Sequence, residues 1–160
     1  MKNKVWRIKK GIKRPKWEEF WFNLTDQIKT RSVCLHYQVG AVLVRENQLL
    51  GMGYNGPPKG LEHCFEVGCA KKVGIKVLKH QGLCRGSHAE LNAISNAASL
   101  GVNISGSDLY VTYRPCAMCT KSIINSKIKR VLYLKDYDGD EVAWSYFGQS
   151  EVEVMKVVFN

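Results

Sequence analysis

His88 and Glu90, two residues apart, and Cys116 and Cys119, three apart behind Pro115, are the side chains of this sequence with the clearest capacity for chemistry. Each pair opens an expected helix. A Cys pair at i and i+3 lies on one side of a first turn, so both thiolates can reach one ion, and the positive end of the helix dipole favours anionic ligands. One imidazole and two thiolates make three protein ligands and leave the fourth tetrahedral position open, as in a catalytic rather than a structural zinc site. Zinc lowers the pKa of water to roughly 7. Glu90 is too far round the helix from His88 to be an obvious co-ligand, yet is placed to touch that water. A hydrolytic deamination needs one group to take the water proton, deliver it to a ring nitrogen and protonate the leaving ammonia, and a partly buried carboxylate with a raised pKa can do all three. Each pair alone has a blander reading, as a satisfied histidine or as a redox or structural Cys-x-x-Cys.

The elements that must position these residues follow from periodicity and breakers. Pro15 and the acidic pair Glu18 and Glu19 mark a helix start. Trp17, Phe20, Trp21, Leu24 and Ile28 recur at helical spacing, which predicts an amphipathic helix to about Arg31. Val39–Val44 and Leu49–Gly53 are β-rich runs about a turn at Arg45–Gln48, hence a hairpin. Tyr54–Lys59, with Asn55-Gly56 and Pro57-Pro58, must be a loop. From His63 to Ser87 periodicity fades and three cysteines intervene, an irregular insertion held by something other than a core. A helix from His88 to Leu100, stopped by Gly101, precedes a strand at Asp108–Tyr113, a helix at Pro115–Asn125 and a strand at Arg130–Leu134. Strand, helix, strand implies a parallel pair with a right-handed crossover. A short helix at Val142–Phe147 and a strand at Val152–Val158 complete the expected fold class, an α/β three-layer α/β/α sandwich with a mixed central sheet.

A length of 160 residues fits one domain, expected at 15–160, with a Cys-rich insertion at about 61–87 and a basic N-terminal arm at 1–14. The composition, 45% hydrophobic and 24% charged, is that of a globular protein, and no apolar run reaches the ~20 residues that span a bilayer. Without the apolar core of a signal peptide the expected compartment is the cytoplasm, with no membrane partner. The net charge of +10 is mostly local, because Lys2, Lys4, Arg7, Lys9, Lys10, Lys13, Arg14 and Lys16 have no acidic residue among them. Such an arm is more often a solvated tail than a nucleic-acid contact. In a reducing cytosol the six cysteines point to metal rather than to disulfides.

Taken together, His88-Ala-Glu90 and Pro115-Cys-x-x-Cys119 match the signature of zinc deaminases. The sequence resembles the cytidine and deoxycytidylate deaminase superfamily, and more closely its deoxycytidylate deaminase branch. The likeness rests on Arg31-Ser-Val-Cys34, Val39-Gly-Ala-Val, Gly53-Tyr-Asn-Gly56, His88-Ala-Glu-Leu-Asn-Ala-Ile94, Leu109-Tyr-Val-Thr112, Pro115-Cys-Ala-Met-Cys119 and Ile128-Lys-Arg-Val-Leu-Tyr133. The resemblance implies a cytidine-deaminase-like fold and conversion of dCMP to dUMP with release of ammonia. It implies Glu90 as proton carrier, a catalytic Zn2+ on His88, Cys116 and Cys119, and a sugar contact from Asn55. It also implies a homo-oligomer, hexamer or dimer, and in regulated relatives an allosteric nucleotide with Mg2+. Asn96 and Ser99 stand where some regulated members carry bulkier or basic residues. For the 5′-phosphate, Lys59, Arg85 and Arg114 are the nearby cations, none of them selected by spacing.

Cys34, Cys64, Cys69 and Cys84 remain, and four thiolates suit a closed structural zinc. Some bacterial and phage relatives carry a second zinc on Cys and His from these segments, so His36, His63 or His80 could replace one thiolate. Other readings stay open: a tRNA or DNA base deaminase using the basic arm, another cytosine-nucleoside or riboflavin-pathway deaminase, or a non-catalytic zinc module binding nucleic acid. The last has no use for Glu90.

Overall fold

The structure is a computed structural model that describes residues 13–73, 84–137 and 140–159. Most of the basic arm, from Lys2 to Lys10, and His80 lie outside these residues. In chain order the elements are α1 (Trp17–Lys29), β1 (Gly40–Arg45), β2 (Gln48–Tyr54), α2 (Cys64–Val67), α3 (Ala70–Val73), α4 (Ala89–Ser99), β3 (Asp108–Tyr113), α5 (Ala117–Asn125), β4 (Arg130–Lys135), α6 (Glu141–Gly148) and β5 (Glu153–Lys156). The strands form one mixed sheet of order β2-β1-β3-β4-β5. β1 runs antiparallel to β2 and to β3, whereas β3, β4 and β5 are parallel.

Strand residues alternate between two cores, as a pleated chain must. Ala41, Leu43, Leu109, Val111, Val131 and Tyr133 face α4 and α5, where Ala89, Ala93, Ala97 and Ile123 meet them. Val42, Val44, Tyr110 and Leu132 face α1, where Trp21, Phe22 and Ile28 close the other layer. This is the expected three-layer sandwich. The β1–β2 turn places Glu46 and Asn47 at φ 52° and 58°, and positive φ at both central residues matches the twist of a tight hairpin.

Gly53 brings α4 onto β2. A Cβ there would lie 2.3 Å from the Ala89 carbonyl oxygen and 2.4 Å from the Ala93 nitrogen, so the helix backbone rests directly on the strand. Asn92 and Asn96 then donate from α4 to the carbonyls of Tyr54 (2.7 Å) and Met52 (2.9 Å). Four residues of helix rise about 6.0 Å and two of strand about 6.7 Å, so the two amides can serve alternate carbonyls and cover part of a sheet edge.

The insertion departs from the expectation of wholly irregular chain. α2 and α3 each form a single turn, and Glu66 caps the first by accepting from the His63 amide at 3.0 Å. β5 ends at Lys156, two residues short of the expected strand end. Among the described residues no helix is long and apolar enough to cross a membrane.

Candidate active site

His88 is the N-cap residue of α4 and Cys116 that of α5, so both first turns aim at one point beside the C-terminal end of β3. The chain before His88 is pinned by a two-bond bridge, Gly56 N–H to Ser87 O (3.1 Å) and Ser87 N–H to Gly56 O (2.8 Å). His88 Nδ1 lies 3.3 Å from both the Cys116 and the Cys119 sulfur. Tetrahedral zinc with Zn–N near 2.0 Å and Zn–S near 2.3 Å requires N···S spacings of about 3.5 Å, so these donors fit that ion almost as they stand. Among the described residues this trio is the one group of metal-type donors gathered within 4.8 Å.

The electrostatics of the trio follow from its crowding. The Cys116 thiol is lowered to about 4, chiefly by the hydrogen bond from Cys119 and then by that from His88. Cys119 is pushed up by its bond to Cys116, by burial and by Glu90. Two thiols and a carboxyl thus crowd one buried spot that holds one negative charge easily and a second with difficulty. A divalent cation removes that conflict, releasing protons as it binds. Glu90, 4% exposed, is held above its usual range by burial, against the pull of its backbone bonding and of His88.

His88, Glu90 and Cys116 border a cavity of about 290 Å³, at the lower end of the roughly 300–1,000 Å³ typical of small-ligand sites. Arg114 lines it and is 9% exposed. One of its Nη groups donates to the Tyr137 carbonyl, and the guanidinium lies 5.0 Å over the Trp144 ring. Its Nε and other Nη are buried without a partner among the described residues, as is the Nε of Arg85, whose Nη1 reaches Glu62 at 3.2 Å. Buried cationic donors left open in this way call for an anion. Lys59, by contrast, is exposed and does not line the cavity.

Asn55 also borders the cavity, but its amide is already engaged. Oδ1 accepts from the Val39 amide and Nδ2 donates to the Tyr37 carbonyl, both at 2.8 Å. One N–H and one lone pair remain for a ligand. Cys34, Cys64, Cys69 and Cys84 also line the cavity, and the Tyr37 amide points at the Cys34 sulfur at 3.5 Å. The Cys64 thiol is pushed up by burial and then by Cys34 and Cys84, while Arg85 lowers it. Among the fallback ligands, His36 borders the cavity, whereas His63 does not and lines a neighbouring surface pocket.

Sequence reasoning missed the aromatic rim. Tyr37 meets Tyr113 and Tyr137 edge to face at centroid distances of 5.6 and 5.8 Å, and all three border the cavity. They come from three separate segments, and no local pattern links them. Asp140, which ties α5 to α6, was equally hidden.

Residues 15–135 match the family described as the cytidine and deoxycytidylate deaminase zinc-binding region. The ComE operon protein 2 of Bacillus subtilis is 36% identical over 146 residues, covering 91% of this chain and 74% of that protein. Deoxycytidylate deaminase of Saccharomyces cerevisiae is 32% identical over 92% of this chain, which spans about half (47%) of the yeast enzyme. Among solved structures, the dCMP deaminase of cyanophage S-TIM5 in complex with dCMP and dUMP superposes with a TM-score of 0.76 at 29% identity, covering 91% of this chain and 99% of that one. With most of its length matched and the three donors assembled, the chain belongs to the cytidine and deoxycytidylate deaminase zinc-binding family.

Proposed function

We propose that this protein hydrolyses dCMP to dUMP and ammonia. The observation that carries this reading is a zinc-shaped donor trio and a buried carboxyl beside one small cavity lined also by Arg114 and Arg85, each with N–H donors left without a partner among the described residues. Support comes from relatives named deoxycytidylate deaminase and from the solved dCMP deaminase that holds dCMP and dUMP.

His88, Cys116 and Cys119 would hold the ion. Zinc, when bound there, supplies Lewis acidity that brings the pKa of water near neutrality. Glu90 takes a proton from the water that attacks C4 of the cytosine ring and hands it to N3. It then carries the second water proton to the departing amine, so one water is consumed and one ammonia leaves. A carboxyl raised by burial suits this shuttle, since it takes up a proton more readily than an exposed one. Arg114, braced by Trp144, and Arg85 bind the 5′-phosphate, and the spare N–H of Asn55 faces the sugar.

Cys34, Cys64, Cys69 and Cys84 belong to the same reading as ligands of a second, structural zinc that would draw the four sulfurs together. A homo-oligomer, hexamer or dimer, working in the cytoplasm and open to control by a nucleotide with Mg2+, completes it.

Ammonia release from a panel of dCMP, dCTP, CMP, deoxycytidine, cytidine and a tRNA anticodon stem tests the substrate. Losing charge-assisted contacts to the phosphate costs about 1.5–3 kcal/mol, so kcat/KM for deoxycytidine falls at least about tenfold below that for dCMP. Deoxycytidine or the tRNA stem as the better substrate would overturn the assignment.

A further inference from the structure

The first turn of α5 lacks its own cap. Pro115 has no N–H, and Cys116, at the N-cap position, makes no side-chain capping bond, its sulfur being shared with the His88 ring and the Cys119 thiol. A Ser or Asp at that position would accept from an amide of the first turn. The open N–H groups of the turn that carries both cysteines must therefore be met from elsewhere. Asp140 meets one of them. Its Oδ2 accepts from the Ala117 amide at 2.6 Å, while its Oδ1 accepts from the Ala143 amide at 3.1 Å as the ordinary N-cap bond of α6. One half-buried carboxylate thus caps two helices, each with roughly half a positive charge at that end.

We propose that Asp140 is a positioning residue for the metal site: by holding the Ala117 amide it keeps the Cys116 sulfur in register with His88 and Cys119. The Ala117 amide is one bond along the backbone from the Cys116 Cα–C unit, so the capping bond restrains the very peptide from which that sulfur projects. This inference rests on the zinc reading of the trio. Groups that orient metal ligands from behind typically change metal affinity by 10–100-fold when removed. A carboxylate that merely caps α6 would change stability and leave the metal untouched.

Three variants separate these roles: Asp140→Ala, Asp140→Asn and Ser145→Gly. The last weakens α6 at an exposed position that makes no bond to α5. Zinc affinity is measured by chelator competition, and the cobalt-substituted protein is followed through its thiolate-to-cobalt charge-transfer and d–d absorption bands. Asp140→Ala is expected to lose 10–100-fold in zinc affinity and to shift the cobalt bands. Asp140→Asn keeps one acceptor oxygen and falls between it and the wild type, and decides the matter if the Ala variant does not fold. Ser145→Gly lowers the melting temperature with wild-type affinity and bands. Wild-type affinity and spectrum in both Asp140 variants, with only the melting temperature reduced, would overturn the proposal. A wild-type protein that takes up neither ion overturns the zinc reading, and this inference with it.

Discussion

Burying Glu90 costs the fold something that the reaction needs. Its carboxyl is held above the ordinary value of 4.5, first by desolvation. Below the unfolded value both states carry the proton and nothing differs. Above it the unfolded carboxyl ionises freely while the buried one resists, so stability is lost as pH rises through the folded value. Glu90→Gln removes that cost and the shuttle together. Turnover is expected to fall by several orders of magnitude with zinc retained. Melting of the metal-free variant should match the wild type in acid and exceed it by a margin that grows toward neutral pH. Near-normal ammonia release from the variant would reject the mechanism. The trio and Glu90 were legible in the sequence because each pair sits within one helical turn, where spacing alone dictates direction. Asn55 was legible only as a residue type. Its bonds reach Val39 and Tyr37, 16 and 18 residues away, and such engagement depends on how the α1–β1 connection folds back. The Asp140 bond to Ala117 spans 23 residues and was invisible for the same reason.

At the level of elements, α4 reaches its place only because β2 has no side chain at Gly53. The atoms a methyl group would meet there are backbone at 2.3 and 2.4 Å, which no rotamer change relieves. Gly53→Ala is therefore expected to cost about 1–3 kcal/mol, read as a lower denaturant midpoint, and to reduce turnover as His88 and Glu90 move with the helix. An unchanged midpoint would mean that the helix has room to shift. The main helices and the hairpin could be read from the sequence, the helices from helical spacing and end signals and the hairpin from two β-rich runs about a polar turn. α2 and α3 could not: four residues contain no period, and α2 is closed by the Glu66 carboxylate on the His63 amide rather than by any repeat. β5 was expected to reach Val158. It ends at Lys156, after pairing with β4 from Arg130 to Tyr133.

For the molecule as a whole, two zinc ions per chain are expected by elemental analysis of protein purified without added metal. Cys116→Ser should abolish activity, whereas Cys69→Ser should chiefly lower the melting temperature, because a second ion contributes folding energy to the insertion. A stoichiometry of one, with Cys34, Cys64, Cys69 and Cys84 all freely titratable, would remove the second ion from the reading. The bridge between Gly56 and Ser87 carries a different consequence. It fastens both feet of the segment between them to the scaffold, with the sheet on one side and His88 on the other. Each doubling of a flexible loop adds only about 0.6 kcal/mol of closure entropy. The chain between the two feet can therefore change in length at little cost so long as Cys64, Cys69, Cys84 and Arg85 keep their places, while the two flanking peptides hold the histidine where it stands.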